Sequence, residues 1–293
     1  MAPPLDLPPP LAAPIACSMC AQWNQAQAPF RIYGNTYYVG TQGLSAILIT
    51  GPKGHVLLDA ALPQSAAQIR ANIEALGFRV RDIRWIANSH AHFDHAGGIA
   101  ALQRASAARV AASASGAAAM RAGEVGKDDP QFETPAMHYP PVTSIHTLHD
   151  GEQLVVGPLH VRALMTPGHT PGSTSYTWTS CEAKVCKQVV YSDSLTAVAL
   201  GDFRFSGGAG RPDISGRFGA SIARIGALKC DIVLSTHPGA TAIFERLARS
   251  TASHDAFVDP LACKTLADGA AKSLQERVQE EANPAAPPSA DKH

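Results

Sequence analysis

The feature that most constrains this chain is the short run SHAHFDHAGG, which covers residues 89–98. Three histidines and one aspartate fall within six positions of this run, namely His90, His92, Asp94 and His95. Imidazole and carboxylate groups at this density are costly to remove from water unless a bound cation offsets part of that cost. The chain must therefore fold so that this segment forms one wall of a metal site.

The spacing inside the run predicts positions for two metal ions. Zinc takes imidazole nitrogen and carboxylate oxygen as ligands, and a catalytic zinc keeps one coordination position open for water. His90 and His92 are two residues apart, so in an extended stretch both side chains point the same way and can reach one ion. Asp94 and His95 turn away where a helix begins, and they can reach a second ion.

Two later histidines have a setting that fits the same site. His169 lies in the Pro- and Gly-bracketed turn TPGHTPG after the apolar run LHVRALM, and His237 lies between the apolar run DIVLST and a Pro-Gly pair. Such turns fix a side chain at a strand end. An isolated histidine beside a turn is more often a surface or capping residue, so these two gain weight from the cluster at 90–95. We expect the three strand ends to meet at one edge.

Strand-like and helix-like runs alternate along the chain. Residues 30–60 hold aliphatic and aromatic runs broken by turn residues, which is typical of an antiparallel meander. Ile69, Ile73 and Leu76 then follow at helical spacing. Two β-rich halves, each followed by helices with one apolar face, suggest two sheets packed together with helices outside. We expect a Pro/Ala-rich extended segment (1–16), a single folded domain (17–281) and a disordered tail (282–293).

Charge and length exclude two classes of partner. Lys plus Arg and Asp plus Glu both number 24, so no net positive field attracts nucleic acid or an anionic membrane. No apolar run approaches the ~20 residues that a membrane-spanning helix needs. We therefore expect a protein that binds neither nucleic acid nor a membrane. As a separate expectation, which charge and length do not decide, we take the protein to be a monomer.

The six cysteines form an even set, which favours an oxidising compartment. Free buried thiols in a cytosolic enzyme are the alternative, and the sequence alone does not choose among the pairings. The N-terminal stretch MAPPLDLPPPLAAPIAC has no basic stretch followed by an apolar one, so it is not an intact secretory signal. We expect a processed or trimmed export precursor, and hence a periplasmic or secreted protein.

The pattern His-x-His-x-Asp-His, complete in residues 90–95, resembles the signature of the metallo-β-lactamase superfamily. His169 and His237 match that family in order and approximate spacing. The resemblance runs from about residue 30 to residue 263 and implies the superfamily's α/β fold, an αββα sandwich of two mixed β-sheets packed face to face with helices outside. It is less specific for the reaction, because this fold hosts many hydrolases.

Within the superfamily, the segment VVYSDSLT (189–196) is similar to the third subclass of the class B enzymes, which use zinc to hydrolyse penicillins, cephalosporins and carbapenems. Members of the other two subclasses carry a Cys ligand where this chain has Ser194. The resemblance implies two Zn²⁺ ions per chain. The implied ligands are His90, His92 and His169 for the first ion, and Asp94, His95 and His237 for the second.

The stretches YGNTYYVG, DPQFE and SCEAKVC also resemble secreted members of that subclass. In such relatives one disulfide joins the cysteines that match Cys181 and Cys186, and another joins those that match Cys230 and Cys263. Gln42 stands where a Cys partner for the N-terminal segment would be expected. Cys17 and Cys20 are thus left to each other, to another molecule, or free.

The implied reaction uses metal-bound hydroxide as the nucleophile on a small-molecule β-lactam, so no protein nucleophile is needed. Asp94 would have the catalytic role of orienting that hydroxide. Ser194 and Thr196, at alternate positions of an extended strand end, could hydrogen-bond the substrate carboxylate, although strand-end polarity also explains them. Gln131 could line the pocket or be a surface residue.

Two other functions remain open. One is a thioesterase, lactonase or phosphodiesterase of the same superfamily, in which a carboxylate after the corresponding strand bridges both metals. Asp193 invites that interpretation, but it lies one residue before Ser194, and strand alternation points it to the opposite face. The other is a non-catalytic zinc-binding protein, which needs closed coordination spheres. Six ligands for two ions leave open positions, which favours catalysis.

Overall fold

The computed structural model describes residues 13–132, 138–208, 210–251 and 255–283. Most of the predicted N-terminal segment (1–16) and tail (282–293) lies outside these ranges. Our expectations of an extended segment and a disordered tail therefore stay predictions.

The first sheet has seven strands within the described ranges, and their order in the sheet follows the chain. The strands are β1 (Phe30–Tyr33), β2 (Thr36–Tyr38), β3 (Ile47–Ile49), β4 (His55–Leu58), β5 (Ile83–Ala87), β6 (Arg109–Ala112) and β7 (Ile145–Thr147). Strands β1 to β4 pair antiparallel, as the predicted meander requires. Strands β4 to β7 pair parallel, with helices in the crossovers.

The second sheet has five strands within the same ranges, in the order β12-β11-β10-β9-β8. The strands are β8 (Gln153–Val156), β9 (Leu159–Met165), β10 (Thr174–Glu182), β11 (Val185–Ser192) and β12 (Ile232–Ser235). Neighbours from β8 to β11 are antiparallel, whereas β11 and β12 are parallel. Each sheet therefore contains both parallel and antiparallel strand pairs, so both sheets are mixed, as expected.

Eight α-helices are found in the described ranges. They are α1 (Cys20–Trp23), α2 (Ala66–Ala75), α3 (Phe93–Ala96), α4 (Ile99–Ser106), α5 (Ala114–Ala122), α6 (Ser215–Gly226), α7 (Ile243–Arg249) and α8 (Ala262–Ala282). Helices α2, α4 and α5 bury their apolar faces against the first sheet, and α6 packs on α8 beside the second. Measured on the described helices, none is long and apolar enough to cross a membrane.

The main core lies between the two sheets. Alternate residues of the strands point inward from both sides, so that Leu58 and Trp85 of the first sheet pack in one cluster with Tyr176, Tyr191 and Leu234 of the second. Burying such side chains supplies roughly 1.5–3 kcal/mol each. The predicted αββα sandwich is confirmed.

Three disulfides join the six cysteines. Cys181 pairs with Cys186 across the β10–β11 hairpin, and Cys230 pairs with Cys263 at the start of α8, as the resemblance implied. Cys17 pairs with Cys20, which resolves the open alternatives for that pair. This disulfide therefore closes a short loop that runs from residue 17 to the start of α1.

Candidate metal centre

Three chain segments bring the six candidate ligands to one edge of the sandwich. The 90–95 run follows β5, His169 follows β9, and His237 follows β12. Strands β9, β11 and β12 run in the same direction, because β9 and β11 both pair antiparallel with β10 and β12 pairs parallel with β11. Their carboxyl ends share one edge, and the backbone hydrogen bond from Thr174 N to Ser89 O (2.8 Å) joins β5's end to it.

A buried carboxylate fixes the start of the metal-binding run. Asp59 is fully buried after β4, and its oxygens accept hydrogen bonds from Asn88 Nδ2 (3.1 Å), Ser89 N (2.8 Å), Ser89 Oγ (2.6 Å) and Tyr191 OH (2.7 Å). Burial raises the pKa of Asp59 to about 6, and these hydrogen bonds offset part of that rise. The network locks the turn that leads into His90.

The two glycines that end the run allow a close approach of the backbone. A Cβ on Gly97 would lie 2.4 Å from Pro63 Cδ and 2.8 Å from Pro63 N, and one on Gly98 would lie 2.3 Å from Ala60 O. The turn after β4 can therefore pack directly on α3, where Ala60 N donates to His95 O at 3.0 Å. Asp94 and His95 are held in the first turn of α3, as the sequence predicted.

His90, His92 and His169 form the first group of candidate ligands. Their ring centroids lie 4.6 Å (90 to 92), 4.8 Å (90 to 169) and 5.1 Å (92 to 169) apart. All three are buried, and one nitrogen from each lies within 4.8 Å of the others, close enough to hold a metal ion. A buried trio of imidazoles is the ligand set of a catalytic zinc with one open position.

Asp94, His95 and His237 form the second group. Asp94 Oδ2 lies 3.2 Å from His95 Nε2 and 3.4 Å from His237 Nε2, and the two Nε2 atoms are 3.3 Å apart. Ligand atoms about 2.0–2.2 Å from a tetrahedral zinc are about 3.3–3.6 Å apart. The three atoms thus form a nearly equilateral triangle of the size that one face of a zinc tetrahedron requires.

The far ring nitrogens of four histidines have partners that fix each ring. His90 Nδ1 lies 2.6 Å from Asp193 Oδ1, and His92 Nε2 lies 3.0 Å from Asp129 Oδ1. The other two partners are backbone carbonyls: Thr196 O is 2.9 Å from His169 Nδ1, and Gly43 O is 3.2 Å from His237 Nδ1. A metal-ligating histidine ordinarily donates its second nitrogen in this way.

The remaining nitrogen of His90 supports the same assignment. His90 Nε2 is buried and has no hydrogen-bond partner within the described part of the chain. A buried polar atom without a partner costs free energy, so such an atom at the centre of a histidine cluster indicates a missing ligand. The donor set, the orphaned nitrogen and the ligand spacing all fit zinc.

Burial keeps several of the imidazoles neutral. It lowers the pKa of His90 well below its ordinary value, and repulsion from the neighbouring His95 and His92 lowers it further. Burial, together with a neighbouring histidine, also lowers the pKa of His169 to about 4 and the pKa of His237 to about 4. Neutral imidazole is the form that binds a metal, so these rings are ready ligands at neutral pH.

The carboxylates carry the negative charge of the site. Burial alone would raise the pKa of Asp94, but the adjacent His95 and His237 hold that pKa well below its ordinary value. Conversely, burial would lower the pKa values of His92 and His95, but Asp129 and Asp94 respectively raise them. A cation held by these residues would replace the protons that are otherwise shared within these pairs.

Asp193 lies behind a ligand. It is buried after β11, its backbone N–H donates to Ser175 Oγ (3.0 Å), and its Oδ1 contacts the nitrogen of His90 that faces away from the cluster. Burial raises the pKa of Asp193. A carboxylate in this place orients His90 through its Oδ1 atom.

The three predicted substrate residues lie at the edge of the cluster. Gln131 Nε2 is 3.5 Å from His169 Nε2, and Thr196 Oγ1 is 3.2 Å from His169 Nδ1. Ser194 Oγ is 2.7 Å from Thr236 Oγ1, next to His237 in the chain. Ser194, Thr196 and His237 also line a cavity of about 830 Å³. Ligand pockets for drug-sized molecules are about 300–1,000 Å³, so there is room beside the metal groups for such a molecule.

Sequence reasoning missed four residues that support the ligands: Asp129, Asp193 as a partner of His90, Trp23 and Gly43. Asp193 was visible as a carboxylate beside a predicted site residue, but its partner was not. Asp129 lies in an irregular polar loop that gives no periodic signal. The ring of Trp23 lies 5.4 Å from that of His237, centroid to centroid, across a separation in sequence that no local pattern spans.

Residues 39–182 match the family model described as the metallo-beta-lactamase superfamily. Among curated proteins, the chain is 29% identical over 245 residues to a hydroxyacylglutathione hydrolase of Anaeromyxobacter dehalogenans, covering 78% of each chain.

Solved structures give stronger similarity. The Rm3 metallo-beta-lactamase is 48% identical, with a TM-score of 0.88 over 91% of this chain and 99% of that one. MEM-A1, a subclass B3 metallo-beta-lactamase isolated from a soil metagenome library, is 44% identical, with a TM-score of 0.86 over 89% of this chain and 99% of that one.

Proposed function

Because this chain belongs to the metallo-β-lactamase superfamily, we propose that it is a zinc-dependent β-lactamase that hydrolyses the β-lactam amide of penicillins, cephalosporins and carbapenems. The observation that carries this proposal is the convergence of the three-histidine group with the Asp94, His95 and His237 group, with Ser194, rather than a cysteine, beside them. The similarity to subclass B3 enzymes over nearly the whole of their length supports the same substrate class.

Two zinc ions per chain fit the donor atoms. His90, His92 and His169 would hold the first ion, and Asp94, His95 and His237 would hold the second. When bound, zinc lowers the pKa of water to about 7 and polarises a carbonyl oxygen. With three protein ligands each, both ions keep open positions for water and substrate, which a purely storage site would not need.

Residues of the chain would orient the attacking water and bind the substrate. Asp94 would accept a hydrogen bond from the attacking water and so fix its direction, because its pKa keeps it ionised. The hydroxyls of Ser194 and Thr196 each have capacity for a further hydrogen bond and would bind the substrate carboxylate. Gln131 would line the pocket beside the first ion.

A thioesterase is the second candidate, favoured by the likeness to a hydroxyacylglutathione hydrolase. That reaction in this superfamily was expected to use a carboxylate after β11 that bridges both metals, and Asp193 is the residue available. Its Oδ1 contacts the outward nitrogen of His90 at 2.6 Å, which gives Asp193 the role of orienting that ring. The placement of Asp193 therefore favours the lactamase.

The experiment that separates these functions compares three substrates on the purified protein: nitrocefin, a carbapenem and a hydroxyacylglutathione thioester. We expect hydrolysis of both lactams, its loss with a chelator, its return with zinc, and no effect of clavulanate. Thioester hydrolysis without lactam hydrolysis would establish the second candidate. Zinc binding without turnover of any substrate would indicate a non-catalytic zinc-binding protein.

We further propose that residues 17–281 form one catalytic domain, that the protein acts as a monomer, and that it is exported to the periplasm or secreted. Three disulfides support export, because the cytosol keeps thiols reduced. Size-exclusion chromatography with light scattering tests the monomer, and cell fractionation with alkylation of free thiols tests the compartment. Alkylatable cysteines in the protein from intact cells would contradict export.

A further inference from the structure

The segment of residues 17–27, here called the N-terminal strap, crosses the edge of the sandwich beside the second group of candidate ligands. It contains α1 and is closed by the Cys17–Cys20 disulfide. At the end of the strap, Gln27 O accepts a hydrogen bond from Asn72 Nδ2 of α2 at 3.1 Å. The strap thus joins the first sheet's helices to the metal edge.

Trp23 is the side chain by which the strap reaches the metal centre. Its ring lies 5.4 Å from the ring of His237, centroid to centroid and tilted by 52°. It also lies 6.5 Å from the ring of Phe93, the residue next to Asp94. Trp23 therefore packs between the two loops that supply the second group of ligands, and it contacts one of those ligands directly.

The backbone of the strap also supports His237. Trp23 O accepts hydrogen bonds from Gly43 N (3.1 Å) and from Thr41 Oγ1 (2.6 Å). The carbonyl of Gly43 in turn lies 3.2 Å from His237 Nδ1. The carbonyl that fixes the His237 ring therefore belongs to a residue whose own N–H the strap holds in place.

Gly43 is required for this arrangement because Trp23 lies against it. A Cβ at position 43 would lie 2.5 Å from Trp23 Cδ1 and 2.6 Å from Trp23 Cα, closer than real contacts allow. The second of these atoms is backbone, so the clash cannot be relieved by rotating the indole alone. An alanine at position 43 would have to displace the strap.

Two further contacts fix the strap at its centre. Ser65 Oγ donates to Asn24 Oδ1 at 2.6 Å, and Gln42 N donates to Gln25 O at 3.0 Å. Gln42 occupies the position where the family resemblance implies a cysteine. A hydrogen bond therefore joins the strap to the body of the protein where a disulfide would be expected. The strap is anchored independently of the metal ligands.

From these contacts we propose that Trp23, with Gly43, is a positioning residue for His237 and so sets the affinity of the second zinc position. The inference rests on the proposed zinc ligands. Partners that orient a ligating histidine are typically worth about 10- to 100-fold in metal affinity. Among the described residues, the candidate ligand whose ring the strap contacts is His237 of the second group, so loss of the strap should weaken that position and leave the three-histidine position unchanged.

The test is a zinc titration of the metal-free protein against a chromophoric chelator, which resolves two stepwise affinities without any substrate. We expect Trp23→Ala to weaken the second affinity by about 10- to 100-fold and to leave the first unchanged. Trp23→Phe, which keeps an aromatic face toward His237, should restore most of the loss. Gly43→Ala should reproduce the effect of Trp23→Ala, whereas Gly219→Ala, where an added Cβ meets nothing within 4 Å, should bind zinc like the unmutated protein.

Equal weakening of both positions in Trp23→Ala, or unchanged affinities in both Trp23→Ala and Gly43→Ala, would overturn the inference. An unmutated chain that binds a single zinc would overturn it together with the proposed ligand set. An unmutated chain that binds two zinc ions but hydrolyses no lactam would remove the proposed substrate only, and the strap variants would still decide this inference.

Discussion

The two halves of the metal centre are built from similar ligands but are held by different groups. In the three-histidine half, buried carboxylates stand behind two rings, with Asp193 behind His90 and Asp129 behind His92. In the other half, His237 is held by the carbonyl of Gly43 and the face of Trp23. His95 Nδ1 has no hydrogen-bond partner among the residues that the structure describes.

The difference is one of charge. A carboxylate behind a histidine increases the basicity of the nitrogen that faces the metal, and a neutral carbonyl does so less. The second half would compensate with Asp94, which as a proposed ligand would contribute its charge directly. We therefore expect the first position to owe its affinity to residues behind the ligands, and the second to owe it to one ligand and to the packing of the strap.

The largest expected effect is the removal of one ligand from each half. His90→Ala and Asp94→Ala should each lower lactam hydrolysis by at least about a thousandfold, roughly 4 kcal/mol on the barrier, because each removes the geometry of one position. The measurement is kcat/KM for imipenem. His160→Ala, an exposed histidine on β9, is the control and should behave like the unmutated protein.

Hydrolysis within about tenfold of the unmutated protein, a change of only ~1.4 kcal/mol, would refute the ligand assignment for the half concerned. If only one of the two variants lost activity, the result would indicate one catalytic ion and a second ion that the reaction does not require.

The next effect concerns the carboxylates of the three-histidine half. Asp129→Asn keeps the shape of the side chain but removes the charge behind His92, so it should weaken the first zinc affinity by about 10- to 100-fold and spare the second. The same stepwise titration measures it. Asp128→Asn, the neighbouring exposed aspartate, is the matched control.

Asp193→Asn should act in the same direction through His90. A result in which either variant weakened the second position more than the first would reverse the comparison between the halves. A result in which both variants bound zinc normally would show that the carboxylates are not needed to orient the rings.

The candidate ligands and the groups that orient them differ in how well the sequence predicts them. The spacing of His90, His92, Asp94 and His95 fixes which side chains share a face, and the turns at His169 and His237 place them at strand ends. The candidate ligand set therefore follows from local rules. The two-sheet sandwich follows from strand and helix runs that carry one apolar face each.

The supporting groups could not be predicted in this way. Asp129 meets His92 only because an irregular loop folds over the site, and 37 positions separate the two residues. Gly43 and His237 are 194 positions apart. Such pairs depend on tertiary packing, which has no period in the sequence. The ligands are local in origin, whereas the groups that orient them are not.

A smaller effect is expected from the hydroxyl of Ser194, which lines the cavity beside the second group of candidate ligands. Ser194→Ala should raise KM for several lactams by about tenfold, since one hydrogen bond to a charged group is worth about 1.5–3 kcal/mol and a residual contact remains through Thr196. Its effect on kcat should be small. Ser144→Ala, on an exposed loop before β7, is the control.

Because Ser194 Oγ also contacts Thr236, next to His237, the zinc titration is needed alongside the kinetics. An unchanged KM with a weakened second zinc would assign Ser194 to support of the second half, and would remove its proposed role in substrate binding.

The smallest expected effect comes from the disulfide of the strap. The double substitution Cys17→Ser with Cys20→Ala opens a very short loop, and short loops contribute little to stability. The hydrogen bonds of Asn24 and Gln25 remain, so we expect the second zinc affinity to fall only about threefold, ~0.6 kcal/mol. The matched control is the double substitution Cys181→Ser with Cys186→Ser, which opens the other short disulfide on the β10–β11 hairpin and should leave both zinc affinities unchanged. A loss as large as that expected for Trp23→Ala would mean that the disulfide, and not the contacts of the indole and of residues 24 and 25, holds the strap against His237.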